Sequence, residues 1–133
     1  SIAFKLGQSL KSVLGTERLV IGMDTRESGS ELLYSVASGA QSMKIDVMIA
    51  GVVSTPLISH YSKEKGITGV MITASHNPYT DNGLKVFNKG NKLLESEELA
   101  IEKHIDDKEK FNITNIGKTY SGEEVLDLYA DLI

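Results

Sequence analysis

Apolar positions in the first half of the chain switch repeatedly between two periods. Ile2, Leu6, Leu10, Val13 and Leu14 recur at helical spacing, and Gly15 is a natural stop. Residues 19–23, Leu-Val-Ile-Gly-Met, form a short apolar run of strand type. Ser28 or Gly29 opens a second helix that carries Leu32, Leu33, Val36, Ala37, Ala40 and Met43 on one face. Residues 45–50 read as the next strand. Ser54 or Thr55 caps a third helix, with Pro56 at its first position, where a missing N–H costs nothing. That helix runs to about Lys65, and Gly66 ends it. Residues 69–73 form a third strand and 84–87 a shorter fourth, suited to an antiparallel edge. Ser96 opens a helix to about Asp106. Residues 108–120 are polar, with room for one short strand near 113–116. Ser121-Gly122-Glu123-Glu124 is a capping box for a last helix bearing Val125, Leu128, Tyr129 and Leu132.

Strands alternating with helices of this length imply right-handed βαβ units. The expected fold is α/β: a three-layer α/β/α domain around a mainly parallel, mixed sheet of about four strands. In such sheets ligands sit outside the carboxyl ends of the strands. Those ends are Asp24-Thr25-Arg26, Ser54-Thr55 and Ser75-His76-Asn77, all small or polar. Two of them lead straight into helix N-termini, whose free N–H groups favour anions. A phosphate-handling crevice therefore follows from topology.

Composition narrows the function. The chain has 133 residues and a net charge of −4, with charges interspersed, which gives no electrostatic case for nucleic acid or an anionic membrane. It has no cysteine, which removes disulfides, thiolate metal sites and thiol nucleophiles and fits a cytoplasmic location. No run reaches the length of a membrane span. Gly117-Lys118-Thr119 looks like the tail of a P-loop, but Asn112 stands where its first glycine belongs. No dinucleotide glycine motif follows a strand. The opening at Ser1, directly in a helical pattern, suggests a piece of a longer protein.

The densest chemistry lies at Thr73-Ala74-Ser75-His76-Asn77-Pro78, followed by Asp81-Asn82-Gly83-Leu84-Lys85. A strand ends here in a tight loop that presents one hydroxyl beside an imidazole and an amide, and such a serine can carry a covalent group. A structural serine in a strand-to-loop turn is the bland alternative, but it leaves the flanking pattern unexplained. The segment resembles the phosphoserine loop of the α-D-phosphohexomutases. Residues 21–29, Ile-Gly-Met-Asp-Thr-Arg-Glu-Ser-Gly, and 51–56, Gly-Val-Val-Ser-Thr-Pro, resemble two further elements of that family, in family order. The likeness covers most of residues 1–105, and implies that residues 1–133 are the family's first domain, with about 121–133 leading toward the next.

The resemblance implies roles. Ser75 would be the phosphoryl carrier and, through its phosphate, a ligand of Mg²⁺, whose remaining ligands lie outside this chain. The substrate would be a sugar phosphate, with a hexose 1,6-bisphosphate as intermediate and activator, and the other domains of the same chain as partners. Lys85 would offset phosphate charge or relay a proton, against the plain reading of a solvated edge-strand lysine. His76 would bond the phosphate or simply orient the loop. Asn77 would fix the turn, with phosphate contact as its second role, and Arg26 would grip a phosphate or pair with Asp24. His60 and His104 read as ordinary helix residues. The stretch 81–87 looks most like phosphoglucosamine mutases, with phosphoglucomutases and phosphomannomutases of the same family as the alternative. A non-catalytic phosphate-binding module of the same fold is the reading from another class, and a purely structural α/β domain is the last.

Overall fold

The computed structural model describes residues 2–73, 84–106 and 119–120. In chain order its elements are α1 (Ile2–Leu14), β1 (Arg18–Met23), α2 (Arg26–Ser42), β2 (Asp46–Val52), α3 (Thr55–Lys65), β3 (Thr68–Ile72), β4 (Leu84–Asn88), β5 (Asn91–Lys92), α4 (Glu95–Asp106) and β6 (Thr119–Tyr120). The sheet order is β5-β4-β3-β1-β2-β6. β3, β1, β2 and β6 run parallel, and β4 and β5 run antiparallel.

Helices cover both faces, and alternate residues of β1 show why. Leu19, Ile21 and Met23 face α1, α2 and α4, whereas Val20 faces α3. β1 is central and buried on both sides, so its run is continuously apolar. The larger core lies under α1, α2 and α4, with Leu6, Leu10, Leu33, Val36, Ile101 and Ile105. The smaller lies under α3, with Ile58, Tyr61, Met48, Met71 and Phe87.

The α/β/α architecture and mainly parallel sheet match the sequence expectation. The sheet is wider than about four strands because β5 and β6, two residues each, are too short to leave an apolar pattern. β5 rather than β4 is the edge on that side. α2 opens at Arg26, two residues before Ser28, because Thr25 is already extended and serves as its N-cap. The short strand forms at Thr119–Tyr120; residues 113–116 and the helix expected over 121–133 lie outside the described residues.

α1 and α2 approach closely through glycine. A Cβ on Gly39 would lie 2.8 Å from the carbonyl carbon of Phe4 and closer still to its oxygen. Gly7 meets the backbone of Val36 and Ala40 in the same way from the other helix. Polar atoms at this seam are paired: Gln8 Nε2 donates to Ser42 Oγ (3.3 Å), which donates to the Gly39 carbonyl (2.6 Å). Gly39→Ala sets two effects against each other. Alanine favours the helix by about 1 kcal/mol, whereas forcing atoms into a packed seam costs about 1–3 kcal/mol. The obstacle is backbone and cannot rotate away, so packing wins. Gly39→Ala is expected to lower stability in urea denaturation by about 1–2 kcal/mol, while Ser38→Ala, exposed on the same helix, has no such cost.

Under α3 the buried Tyr61 hydroxyl donates to Met48 Sδ at 3.3 Å. Burial pushes the Tyr61 pKa above its ordinary 10.0, and the positive charge of Arg18 pulls it partly back. The folded state therefore prefers the neutral phenol. Its contribution is complete below the unfolded pKa and is lost as pH rises through the folded one. Denaturation midpoints measured from about pH 9 upward are expected to fall more steeply for the native chain than for Tyr61→Phe.

Candidate functional site at the carboxyl ends of the strands

Three strands end level with one another. Beyond the last β1 residue the Asp24 N–H still donates to the Ile72 carbonyl of β3 (3.0 Å). On the other side the Val53 N–H donates to the Met23 carbonyl (3.0 Å). The loops after β1, β2 and β3 thus leave from one edge of the sheet, as expected from topology.

Two helices start at that edge. Thr25, in extended conformation (φ −143°, ψ 150°), precedes α2, and its side chain makes no capping bond. The positive end of the α2 dipole lies at this edge. At α3, Ser54 Oγ accepts from the Leu57 N–H at 3.3 Å and Pro56 sits in the first turn. One helix start is capped by the side chain of the residue before it, and the other is not.

A β-bulge sets the path into α3. Ile21 pairs with Ile49, but Gly22 pairs with Gly51, so Ala50 is the extra residue. Gly51 adopts φ +79°. The extra residue reverses the alternation of the strand end. Val53 turns onto Gly22, where a β-carbon would lie 2.6 Å from Val53 Cγ2, and Val52 is left half exposed. The sequence motif contains Gly51, but apolar periodicity carries no sign of its positive φ or of the bulge. Nothing lies within 4 Å of a Cβ at Gly51, so its constraint is conformational alone. Gly51→Ala is expected to cost about 1–2 kcal/mol in chemical denaturation. Gly51→Asn is expected to cost less, because asparagine tolerates this region.

Of the sequence-predicted site residues, Arg26 is the exposed first residue of α2, and Ser30 Oγ donates to its carbonyl at 3.0 Å. Lys85 is exposed on β4, directly across from Met71 and one rung from the Leu84–Ile72 pair that closes the ladder. It stands near the carboxyl end of β3. Ser75, His76 and Asn77 lie outside the described residues, between Thr73 and Leu84. The exposed His60 is in α3 and the half-buried His104 in α4, as expected. A groove of about 630 Å³ runs along β4 and α4, lined by Leu6, Leu84, Val86, Leu93 and Ile101, with Lys85 at its margin. It lies beside the strand ends rather than over them.

A family model described as phosphoglucomutase/phosphomannomutase, alpha/beta/alpha domain I, matches residues 1–112. The chain belongs to the phosphoglucomutase/phosphomannomutase family. It is 35% identical over 128 residues to the phosphoglucosamine mutase of Thermotoga maritima, a match covering 96% of this chain and 30% of that protein. It is 39% identical over 138 residues to the phosphoglucosamine mutase of Deinococcus deserti, covering 100% of this chain and 31% of that one. The Clostridioides difficile phosphoglucosamine mutase is 42% identical over 123 residues, with 88% and 28% covered. The chain thus spans roughly a third of these relatives' length. In fold, it matches the crystal structure of a phosphoglucomutase/phosphomannomutase family protein from Burkholderia thailandensis with a TM-score of 0.69. That match has 24% identity and covers 90% of this chain and 28% of that one. The family assignment agrees with the resemblance carried by residues 73–85, 21–29 and 51–56.

Proposed function

We propose that this chain is the phosphoserine-bearing first domain of a phosphohexomutase, acting between the 1 and 6 positions of a hexose phosphate, with glucosamine phosphate as the favoured substrate. The observation that carries the reading is that β1, β2 and β3, the strands leading into the three family elements, end level at one sheet edge beside two helix N-termini. The names of the relatives support the choice of sugar.

In this reading Ser75 carries the phosphoryl group. A sugar hydroxyl attacks phosphorus, the bond from phosphorus to Ser75 Oγ breaks, and a sugar bisphosphate forms. After the intermediate reorients, its other phosphate returns to Ser75. Phosphoserine brings about −1.5 to −2 charge at neutral pH, so an oxygen nucleophile approaches only if that charge is offset. The α2 N-terminus and Lys85 act in that sense, and Arg26 holds a phosphate of the substrate. His76 orients or bonds the phosphate, and Asn77 holds the turn.

Mg²⁺ belongs to the same proposal as a further source of charge neutralisation. Among the described residues no three His, Cys, Asp or Glu side chains group to hold a metal ion. The described residues alone would not complete its coordination, and its remaining ligands would come from outside this chain. Nor, among the described residues, is any helix long and apolar enough to cross a membrane. The sugar phosphate, the remaining domains and a cytoplasmic location complete the reading.

Intact mass and a phosphopeptide map of the full-length protein test it, before and after incubation with a hexose 1,6-bisphosphate. One phosphate on Ser75 is expected, with Ser75→Ala losing nearly all mutase turnover. A well-folded protein whose Ser75 stays unmodified after the bisphosphate would favour the non-catalytic phosphate-binding module instead.

A further inference from the structure

At the end of the sheet remote from the three family elements, one buried hydroxyl joins three parts of the chain. Ser62, in the last turn of α3, is fully buried. Its Oγ accepts from the Gly90 N–H at 2.8 Å and donates to the Ile67 carbonyl at 2.6 Å. That carbonyl also accepts from the Lys89 N–H at 3.2 Å. Ser59, one turn earlier on α3, donates to the Gly90 carbonyl at 3.1 Å. Gly90 has φ +85°, and a Cβ on it would stand 3.0 Å from Lys63 Cα, so the turn between β4 and β5 sits directly on α3. A serine hydroxyl has one proton and two lone pairs. Here the proton goes to Ile67 and a lone pair takes the Gly90 N–H. One side chain thereby ties the chain entering β3 to the chain leaving β4.

β4 depends on that tie. It pairs with β3 from Thr68–Asn88 to Ile72–Leu84, whereas on its other side β5 reaches only Phe87 and Asn88. Among the described residues, Leu84, Lys85 and Val86 are therefore held by β3 alone. An antiparallel ladder has a period of two, so it fixes the face a residue presents more firmly than its place along the partner. A slip of two residues would keep Lys85 on the face it shares with Phe87, but carry it about 7 Å along β3. The bonds of Ser62 oppose this slip, because they hold the Asn88 end of β4 against the Thr68 end of β3. Lys85 stays across from Met71, near the carboxyl end of β3.

We propose that Ser62 is a positioning residue for phosphoryl transfer. From the far end of the sheet it sets where Lys85 stands relative to the end of β3. The proposal rests on the phosphohexomutase reading, in which Lys85 offsets the charge of the phosphoserine. Ser62 touches no substrate and acts only through β4.

Hydrogen–deuterium exchange and steady-state turnover on the full-length protein test it together, well below each variant's thermal midpoint. Ser62→Ala leaves the Gly90 N–H without its acceptor and is expected to speed exchange in peptides covering 84–92. Its kcat is expected to fall at least about tenfold with KM for the sugar phosphate within about twofold, because charge offset acts on the transition state. Ser59→Ala removes only the outer bond, and is expected to move both readings the same way by less; it carries the test if Ser62→Ala does not fold. Gly39→Ala, in the α1–α2 seam, is the control for lost stability alone and is expected to keep the native kcat. Unchanged exchange at 84–92 in both serine variants would overturn the proposal. So would faster exchange there with native kcat, or an equal loss of kcat in Gly39→Ala. A native protein without turnover would overturn the phosphohexomutase reading and this role of Ser62 with it. Faster exchange at 84–92 in the serine variants then tells failure of that reading from failure of the tie.

Discussion

Parallel pairing of β3, β1 and β2 is the constraint on which the rest depends. Parallel strands must be joined by crossovers, and α2 and α3 are those crossovers. The same pairing lines up the strand ends, so three chain segments far apart in sequence emerge side by side. β1 fixes the level of both neighbours: its ladder extends past Met23 on one side through Asp24 and on the other through Val53. Any phosphate chemistry here draws on that alignment before it draws on a particular side chain. Helix starts at the carboxyl edge point their positive ends to the same place.

The bulge at Ala50–Gly51 shows how a single residue adjusts that alignment. A regular β2 would turn Val53 toward the α1–α2 face, leaving Gly22 covered by Ile58 of α3 without Val53. With the extra residue, Val53 seals Gly22 and Ser54 arrives in position to cap α3. Packing, strand register and helix start are thus one coupled arrangement. The α1–α2 seam is coupled in a similar way: the lack of side chains at Gly7 and Gly39 lets backbone meet backbone, and this brings α1 close over the larger core.

Much of this was legible in the sequence. Helices and the long strands left clear periods because each buries one face or two, and Pro56 and Gly66 mark the ends of α3 by known chemistry. What pattern reading missed was set by tertiary pairing. β5 and β6 are two residues each and exist only because longer strands offer an edge. The opening of α2 fell at Arg26 rather than Ser28 because propensity marks Ser-Gly as a boundary while Thr25 had already turned the chain. The segment around Ser75 was legible as a motif. The motif names Ser75, His76 and Asn77, and the pattern puts Arg26 after β1 and Lys85 on β4, whereas the register that sets Lys85 across from Met71 comes only from the β3–β4 pairing.

The two ends of the sheet handle charge by different means, and this bears on what each end can bind. At the carboxyl edge, attraction for anions comes from backbone N–H groups at helix starts, fixed by the fold. At the amino edge, helix carbonyls oppose an anion, and lysine and arginine side chains must first outweigh them. Exposed side-chain charge is screened strongly by salt, with a Debye length of about 8 Å at physiological ionic strength, whereas oriented backbone donors act at contact. The carboxyl edge therefore suits a phosphate that must be held in one orientation for in-line transfer. One sheet polarity thus gives the two ends opposite backbone fields, N–H groups at the carboxyl edge and helix carbonyls at the amino edge.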